Sequence, residues 1–478
     1  MKQHKKTKIV ATLGPATQEK KILLDLVNAG VNVFRINFSH AIYDEVLEKI
    51  RIIREINNEL NINVAILADL QGPKLRVGEM EKSVKLKEGN TFVFTTEKCI
   101  GNKDMAYMTY QNFPRDVKKG EHILVDDGKL LFEVLKTDNE KNVTAKVLRG
   151  GKLKSKKGVN LPNTNISLPA LTEKDKTDVE FAIAQEVDWV ALSFVRTAED
   201  VKMLRQYIDD RSSYKIPIVA KIEKPEAVEN IDKILPECDA IMVARGDLGV
   251  EVPMHAVPLI QKNLVRQAKL MHKPVIIATQ MMESMILNEV PTRAEVNDVA
   301  NSIMDGADAV MLSGETSIGE YPVEVVKQMA DIIRSVEDSP SIYPYNPGIV
   351  EMDERFTSKI ICNHAVFVAE DIKAKVISTL TNSGYTAFQI SAGRPHSVIL
   401  AFTSNRRIMT MLNLLWGVKA FYYDKETSTD ETVVDINEIA KKKGYLKKGD
   451  YVVNLTSMPL KDKGMVNTLR ITRIKRDY

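Results

Sequence analysis

The hydrophobic pattern up to Asp69 alternates between two periods. Lys8–Leu13 (KIVATL) is a short β-rich run stopped by Gly14-Pro15, and Asn32–Phe38 and Asn63–Asp69 are two further runs of the same kind. Between them, Lys21–Ala29 reads as a helix closed by Gly30. Tyr43–Leu60 carries Val46, Ile50, Ile53 and Leu60 on one helical face. From Pro73 to Pro169 the helical period disappears. Short alternating runs at Thr91–Thr95, His122–Val125, Leu130–Leu135 and Asn142–Val147, separated by turn signals such as Asp127-Gly128 and Gly150-Gly151, predict an all-β insertion. The strand–helix rhythm resumes at Thr172. Strands are expected at Trp189–Phe194, Ile218–Ile222, Ala240–Val243, Val275–Ala278 and Ala309–Leu312, and a last helix over Val323–Val336.

Three strands before the insertion and five after it make eight, the count of a closed (β/α)8 barrel, with an open doubly wound sheet as the alternative. A Pro-rich connector follows Ser339-Pro340 and includes Tyr343, Pro344, Tyr345, Asn346 and Pro347. Helices at Ser358–Ile372, Thr386–Ala392 and Arg406–Leu415 then alternate with strands at Val376–Leu380, Val398–Ala401 and Tyr451–Leu455, which predicts a small α/β unit. The expected class is α/β. Residues 1–72 and 170–342 form a (β/α)8 TIM barrel, 73–169 an inserted β-barrel lid and 343–478 a C-terminal α/β domain.

Composition narrows the function classes. With 44% hydrophobic and 27% charged residues the chain is an ordinary globular protein, not a disordered or fibrous one. The 67 Lys and Arg nearly balance 64 Asp and Glu, so neither a nucleic-acid partner nor a charged membrane surface is expected. The basic cluster Arg149, Lys152, Lys154, Lys156, Lys157 reads as a solvated lid edge. Cys99, Cys238 and Cys362 are widely spaced, which fits a reducing cytoplasm and offers no disulfide or zinc framework. No apolar run reaches the ~18 residues of a membrane helix.

In a barrel, chemistry collects at the C-terminal ends of the strands. There the sequence offers Arg35, Asn37, Ser39 and His40; Asp69; Lys221 and Glu223; Arg245, Gly246 and Asp247; Thr279; and Ser313 with Glu315. Lys221 and Glu223 alone would suit a plain ion pair, but polar or ionisable residues at six strand ends on one rim favour a site. Glu223 and Asp247 are hard oxygen ligands suited to Mg²⁺. Arg35, Arg76 and Lys221 suit a phosphoryl group. No GxxxxGK[ST] loop is present, so a nucleotide must be held in another way. The residues point to Mg²⁺-assisted phosphoryl or enolate chemistry on a small anionic substrate.

Several motifs resemble the pyruvate kinase family: VFRINFSH (Val33–His40), SKKGVNLP (Ser155–Pro162), AKIEKPEA (Ala220–Ala227), MVARGDLGVEVP (Met242–Pro253), ATQMMESM (Ala278–Met285), PTRAEVNDVAN (Pro291–Asn301) and MLSGETSIGEYP (Met311–Pro322). The resemblance covers essentially the whole chain. It implies a cytoplasmic, allosteric homotetramer whose barrel carries a mobile lid and a C-terminal regulatory domain. The implied reaction is phosphoenolpyruvate plus ADP giving pyruvate plus ATP, with Mg²⁺ or Mn²⁺ as cofactor.

By the same resemblance, Lys221 stabilises the transferring phosphoryl group, Glu223 and Asp247 hold the metal, and Arg35 and Arg76 hold phosphate. Thr279 with the backbone of Gly246 and Asp247 holds the substrate carboxylate, and Ser313 and Glu315 belong to the enolate-protonating relay. Asn37, His40, Arg76 and Lys156 lie on the nucleotide side. Two departures change the expectation. Many members read DTKGPEIR at the lid entrance, where Asp and Thr help hold an obligatory K⁺; here the run is Asp69-Leu70-Gln71-Gly72-Pro73-Lys74-Leu75-Arg76. Asn37, Ser39 and Asp69 remain, Leu70 replaces the Thr, and Lys74 offers a replacement charge, so K⁺ is not expected to be required. The loop Thr381, Asn382, Ser383, Gly384, Tyr385, Thr386 keeps phosphate-binding hydroxyls, but Met458-Pro459 and Leu460 to Gly464 lack the Trp and Gly-rich loop of fructose-bisphosphate-activated members. A sugar monophosphate or nucleotide is the expected effector.

Overall fold

The computed structural model describes residues 5–339, 352–425, 428–458 and 465–475. Eight parallel strands close into a barrel. They are β1 (Lys8–Thr12), β2 (Val33–Asn37), β3 (Ala65–Asp69), β4 (Trp189–Leu192), β5 (Ile218–Ile222), β6 (Ala240–Ala244), β7 (Val275–Ala278) and β8 (Ala309–Leu312). Ladder pairing runs β1-β8-β7-β6-β5-β4-β3-β2 and back to β1, which excludes the open sheet.

The strands read as continuous apolar runs because both faces are covered. Ile9, Ala11, Phe34 and Ile36 pack outward against the helices. Val10, Val33, Leu67, Ala191, Val219, Met242, Ile276 and Met311 fill the interior. Side chains alternate along a strand, so inward parity continues past these apolar residues to Thr12, Arg35, Asp69, Ser193, Lys221 and Ser313 at the C-terminal rim.

The insertion is a six-stranded sheet, ordered Val159–Asn160, His122–Val125, Leu130–Thr137, Asn142–Arg149, Thr91–Thr95, Met105–Tyr107, beside a two-stranded sheet of Val84–Leu86 and Gly151–Leu153. Phe92, Phe94, Phe113 and Phe132 form its aromatic core. The expected lid barrel is not one closed ladder: Arg76, Val77 and Met80 join their neighbours only through isolated bridges to Gly158, Met108 and Gly101.

The C-terminal unit has parallel strands β9 (Val376–Leu380), β10 (Val398–Thr403), β11 (Val418–Tyr422) and β12 (Tyr451–Thr456), with β13 (Thr468–Arg473) antiparallel at one edge. β11, β13 and the helix Thr429–Lys442 are additions to the sequence expectation. The Pro-rich connector and Pro459 to Gly464 lie outside the described residues. Among the described residues no helix is long and apolar enough to cross a membrane.

Candidate active site

The polar rim converges on Lys221. Its ammonium has three partners: Ser193 Oγ at 2.7 Å, Glu223 Oε1 at 3.0 Å and Asp69 Oδ1 at 3.1 Å. An ammonium carries three protons, so the cradle uses all of them and fixes the side chain's direction. The other Asp69 oxygen accepts from Arg35 Nε at 2.6 Å, and Arg35 Nη1 donates to Thr12 Oγ1 at 3.0 Å. Glu223 Oε2 accepts from the Phe194 backbone N–H at 2.7 Å.

The electrostatics follow from this packing. Burial opposes the charge on Lys221, but Asp69 and Glu223 outweigh it and hold the ammonium above its ordinary value. Burial likewise opposes ionised Asp69, yet Lys221 and Arg35 keep its carboxyl below the usual range. Glu223 is pushed up by burial and by the like charge of Asp247, against the pull of Lys221. Two cations face three carboxylates, leaving one negative charge in excess beside Glu223 and Asp247. A divalent cation relieves that excess, and its preferred ligands are carboxylate oxygens, so this donor set fits Mg²⁺ or Mn²⁺. Among the described residues there is no cluster of three or more metal-ligating side chains.

Thr279 closes the site from β7. It has φ of 69° and Gln280 follows with φ of 53°, two consecutive non-glycine residues in the left-handed region. The bend takes Thr279 out of the strand's parity. Its hydroxyl donates to Ala278 O at 2.6 Å and accepts from Gly246 N–H at 2.7 Å. The Gly246 N–H expected to meet a substrate carboxylate is thus engaged by Thr279. Glu315 is buried, and its oxygens accept from Ser313 N–H at 2.7 Å and Met282 N–H at 3.1 Å. Burial raises its pKa. Glu315 ties the β7 and β8 loops together through main chain and makes no hydrogen bond to the Ser313 hydroxyl.

The remaining residues expected on the nucleotide side lie in the lid and beside its entrance. Arg76 Nη1 donates to Lys156 O at 2.9 Å, and Lys156 Nζ pairs with Glu79 at 2.7 Å on the exposed edge. His40 is exposed, and its imidazole is held below its ordinary value by partial burial and by the charges of Lys74, Arg76 and Lys174. Lys74 is exposed and makes no side-chain bond among the described residues. Asn37 Oδ1 accepts from Ser39 N–H at 3.1 Å. Leu70 is buried in the apolar layer outside the barrel. Lys74, Asn160, Arg196, Lys224 and Asp247 line the cleft between lid and barrel.

Far from this rim, Thr381 Oγ1 accepts from Gly384 N–H at 2.9 Å. Thr386 is buried against Thr379 at 3.1 Å, while Asn382 and Ser383 are exposed. The loop therefore presents one exposed hydroxyl rather than three, that of Ser383, which accepts from Tyr385 N–H at 3.5 Å. Sequence reasoning did not single out Ser193, although the inward parity of Trp189 and Ala191 on β4 leads to it. It also missed Thr12, the Phe194 N–H, and Glu251, whose carboxylate pairs with Lys224.

Comparison with known proteins matches most of the chain. Residues 4–326 match the family model "Pyruvate kinase, barrel domain" and residues 359–472 match "Pyruvate kinase, alpha/beta domain". The chain is 43% identical over 453 residues to pyruvate kinase 2 of Synechocystis, covering 94% of this chain and 76% of that protein. It is 41% identical over 469 residues to the Geobacillus stearothermophilus pyruvate kinase, covering 98% and 80%. It is 40% identical over 471 residues to the Mycobacterium tuberculosis enzyme, covering 98% of both. A crystal structure of a pyruvate kinase from Cryptosporidium parvum superposes with a TM-score of 0.90 at 34% identity, covering 98% of this chain and 96% of that one.

Proposed function

The chain belongs to the pyruvate kinase family, and from that premise we propose that it transfers the phosphoryl group of phosphoenolpyruvate to ADP with Mg²⁺ held by Glu223 and Asp247 and with no requirement for K⁺. The observation that carries this reading is the saturated cradle of Lys221 beside Glu223 and Asp247. In the transfer, the bond from phosphorus to the enol oxygen breaks and a bond to the terminal ADP oxygen forms. The enolate left behind takes a proton at its methylene carbon and becomes pyruvate. Bound Mg²⁺ would neutralise phosphoryl charge. Lys221 and Arg35 face the charge that spreads over the phosphoryl oxygens, and their orientation is set in advance by Asp69, Ser193 and Thr12. Arg76 and Lys156 reach the nucleotide side from the lid, with His40 and Asn37 below them. Thr279, the Asp247 N–H and Ser313 surround the pyruvate end.

Three features support K⁺ independence. Leu70 supplies no oxygen. Asp69 already faces two cations, Arg35 and Lys221, and so offers a monovalent ion no spare negative charge. The ammonium of Lys74 stands at the lid entrance, where its field reaches His40, and has no partner among the described residues. We further propose a homotetramer, and a phosphorylated effector other than fructose bisphosphate at Thr381–Thr386, supported by the left-handed Gly384 before the helix Tyr385–Ala392.

The test measures rates with phosphoenolpyruvate and ADP in sodium- and potassium-free buffer. Glu223→Gln and Asp247→Asn are expected to abolish turnover with the fold intact, and near-normal rates in both would sink the metal assignment. Added K⁺ is expected to change the wild-type rate less than twofold. A rise of tenfold or more refutes independence. The double variant Leu70→Thr, Lys74→Glu is expected to become K⁺-responsive.

A further inference from the structure

Glu251 closes the helix Arg245–Glu251, one turn after Asp247 on the same face. Its side chain is 1% exposed, and Oε1 pairs with Lys224 Nζ at 2.5 Å. Lys224 directly follows Glu223 and starts the helix Pro225–Glu229. The same Oε1 accepts from Asn160 Nδ2 at 2.8 Å, while Oε2 is buried with no hydrogen-bond partner. Asn160 belongs to the lid, where its short strand pairs with Leu124 and Val125. One buried carboxylate oxygen thus joins three pieces of chain: the loop bearing Glu223, the helix bearing Asp247, and the lid.

We propose that Glu251 is a positioning residue that couples the lid to the two metal-bearing segments, through Lys224 on one side and Asn160 on the other. The inference rests on the metal assignment above. A buried carboxylate with one empty oxygen is already short of donors, so losing Asn160 when the lid swings away leaves the ion pair poorly solvated by the protein. The pair then settles only when the lid is docked. Glu223, next to Lys224, and Asp247, one turn before Glu251, move with the pair, and with them the spacing of the two carboxylates. Lid position would be felt as metal affinity, with no contact between Glu251 and the metal.

The test uses the full-length enzyme with Mn²⁺ as the probe, its dissociation constant read from the free-ion paramagnetic resonance signal without turnover. Glu251→Gln is expected to weaken Mn²⁺ about tenfold, the low end of what groups supporting metal ligands contribute, and Asn160→Ala roughly three- to fivefold, what one hydrogen bond contributes. The double variant should be no weaker than Glu251→Gln alone, because both changes break one connection. Asn160→Ala removes one bond at the lid's edge, so folding is not at issue. Unchanged Mn²⁺ binding in Asn160→Ala, or additive losses in the double variant, overturns the coupling. Glu223→Gln separates the two claims. If it binds Mn²⁺ at wild-type strength, the metal assignment fails; if it loses Mn²⁺ while Asn160→Ala does not, only the coupling fails.

Discussion

Lys221 illustrates how a single side chain gains its role from neighbours. Its ammonium is desolvated, yet Asp69, Glu223 and Ser193 hold it charged and aimed. Lys221→Met should therefore lower kcat by about 10³-fold, because the cation matters more as charge moves onto the phosphoryl oxygens than in the ground state. Ser193→Ala is the finer test. It removes one of three acceptors and also leaves Leu70 O without its donor at 2.6 Å. The charge of Lys221 survives but its direction loosens, so kcat should fall roughly tenfold while KM for phosphoenolpyruvate moves less than about threefold. Steady-state kinetics decide it, and a kcat within twofold of wild type would show that the other two partners suffice. Ser193 was legible in the alternation along β4, but a serine beside Phe194 carries no charge to mark it, whereas Lys221, Glu223 and Asp247 announce themselves by being ionisable at strand ends. What the sequence could not show is which oxygens are already spent. The engagement of Gly246 N–H by Thr279 and of Glu315 by two backbone amides depends on loops that meet only in space.

Among the elements, the barrel strands were the easiest to read, because burial on both faces makes them apolar runs that turn polar only toward their C-terminal ends. The elements that escaped were marginal in pattern. β13 (TLRITR) alternates polar and apolar residues over most of its length on an exposed edge, and β11 (VKAFY) follows a helix that breaks into a 3₁₀ turn at Leu412–Leu414. The lid entrance depends on Gly72. Its φ is 67°, and a Cβ there would stand 2.9 Å from Phe194 Cδ2 and 3.0 Å from Ser193 Cβ. Its N–H donates to Asp175 at 3.0 Å, which pins the hinge to the helix Glu173–Ala184. Gly72→Ala therefore meets two obstacles, a left-handed backbone and a wall of side chain. It should destabilise the chain by about 1–3 kcal/mol and disturb Ser193 and Phe194 beneath the site. A lower urea midpoint together with reduced kcat is the expected result. An unchanged midpoint would mean that the hinge relaxes to a conformation alanine accepts.

The whole molecule is joined at the floor of the barrel, opposite the site. Leu414 of the C-terminal unit is fully buried and belongs to the same apolar cluster as Val10, Leu67, Trp189 and Met242, with Phe388 and Met411 packed beside it. Polar bonds surround this plug: Trp189 Nε1 donates to Met411 O at 3.0 Å, Lys8 Nζ to Val418 O at 2.8 Å, Asn413 Nδ2 to Asn32 O at 3.0 Å and Asn63 Nδ2 to Ala420 O at 3.0 Å. A barrel interior otherwise ends in solvent, so the plug completes the core of one unit with a side chain of the other, and the two should unfold together. The chain's two tryptophans report on this separately, since Trp189 lies on β4 and Trp416 just before β11. Trp416→Phe and Trp189→Phe variants each leave one probe, and their urea transitions should coincide. Leu414→Ala removes the plug and opens a cavity, which should cost about 2–5 kcal/mol. The midpoint should then fall at the Trp189 probe as well as at Trp416, although the substitution lies outside the barrel's own chain segments. If the Trp189 transition stays where it was while Trp416 shifts, the barrel does not draw its stability from the C-terminal unit and the shared core is only a contact.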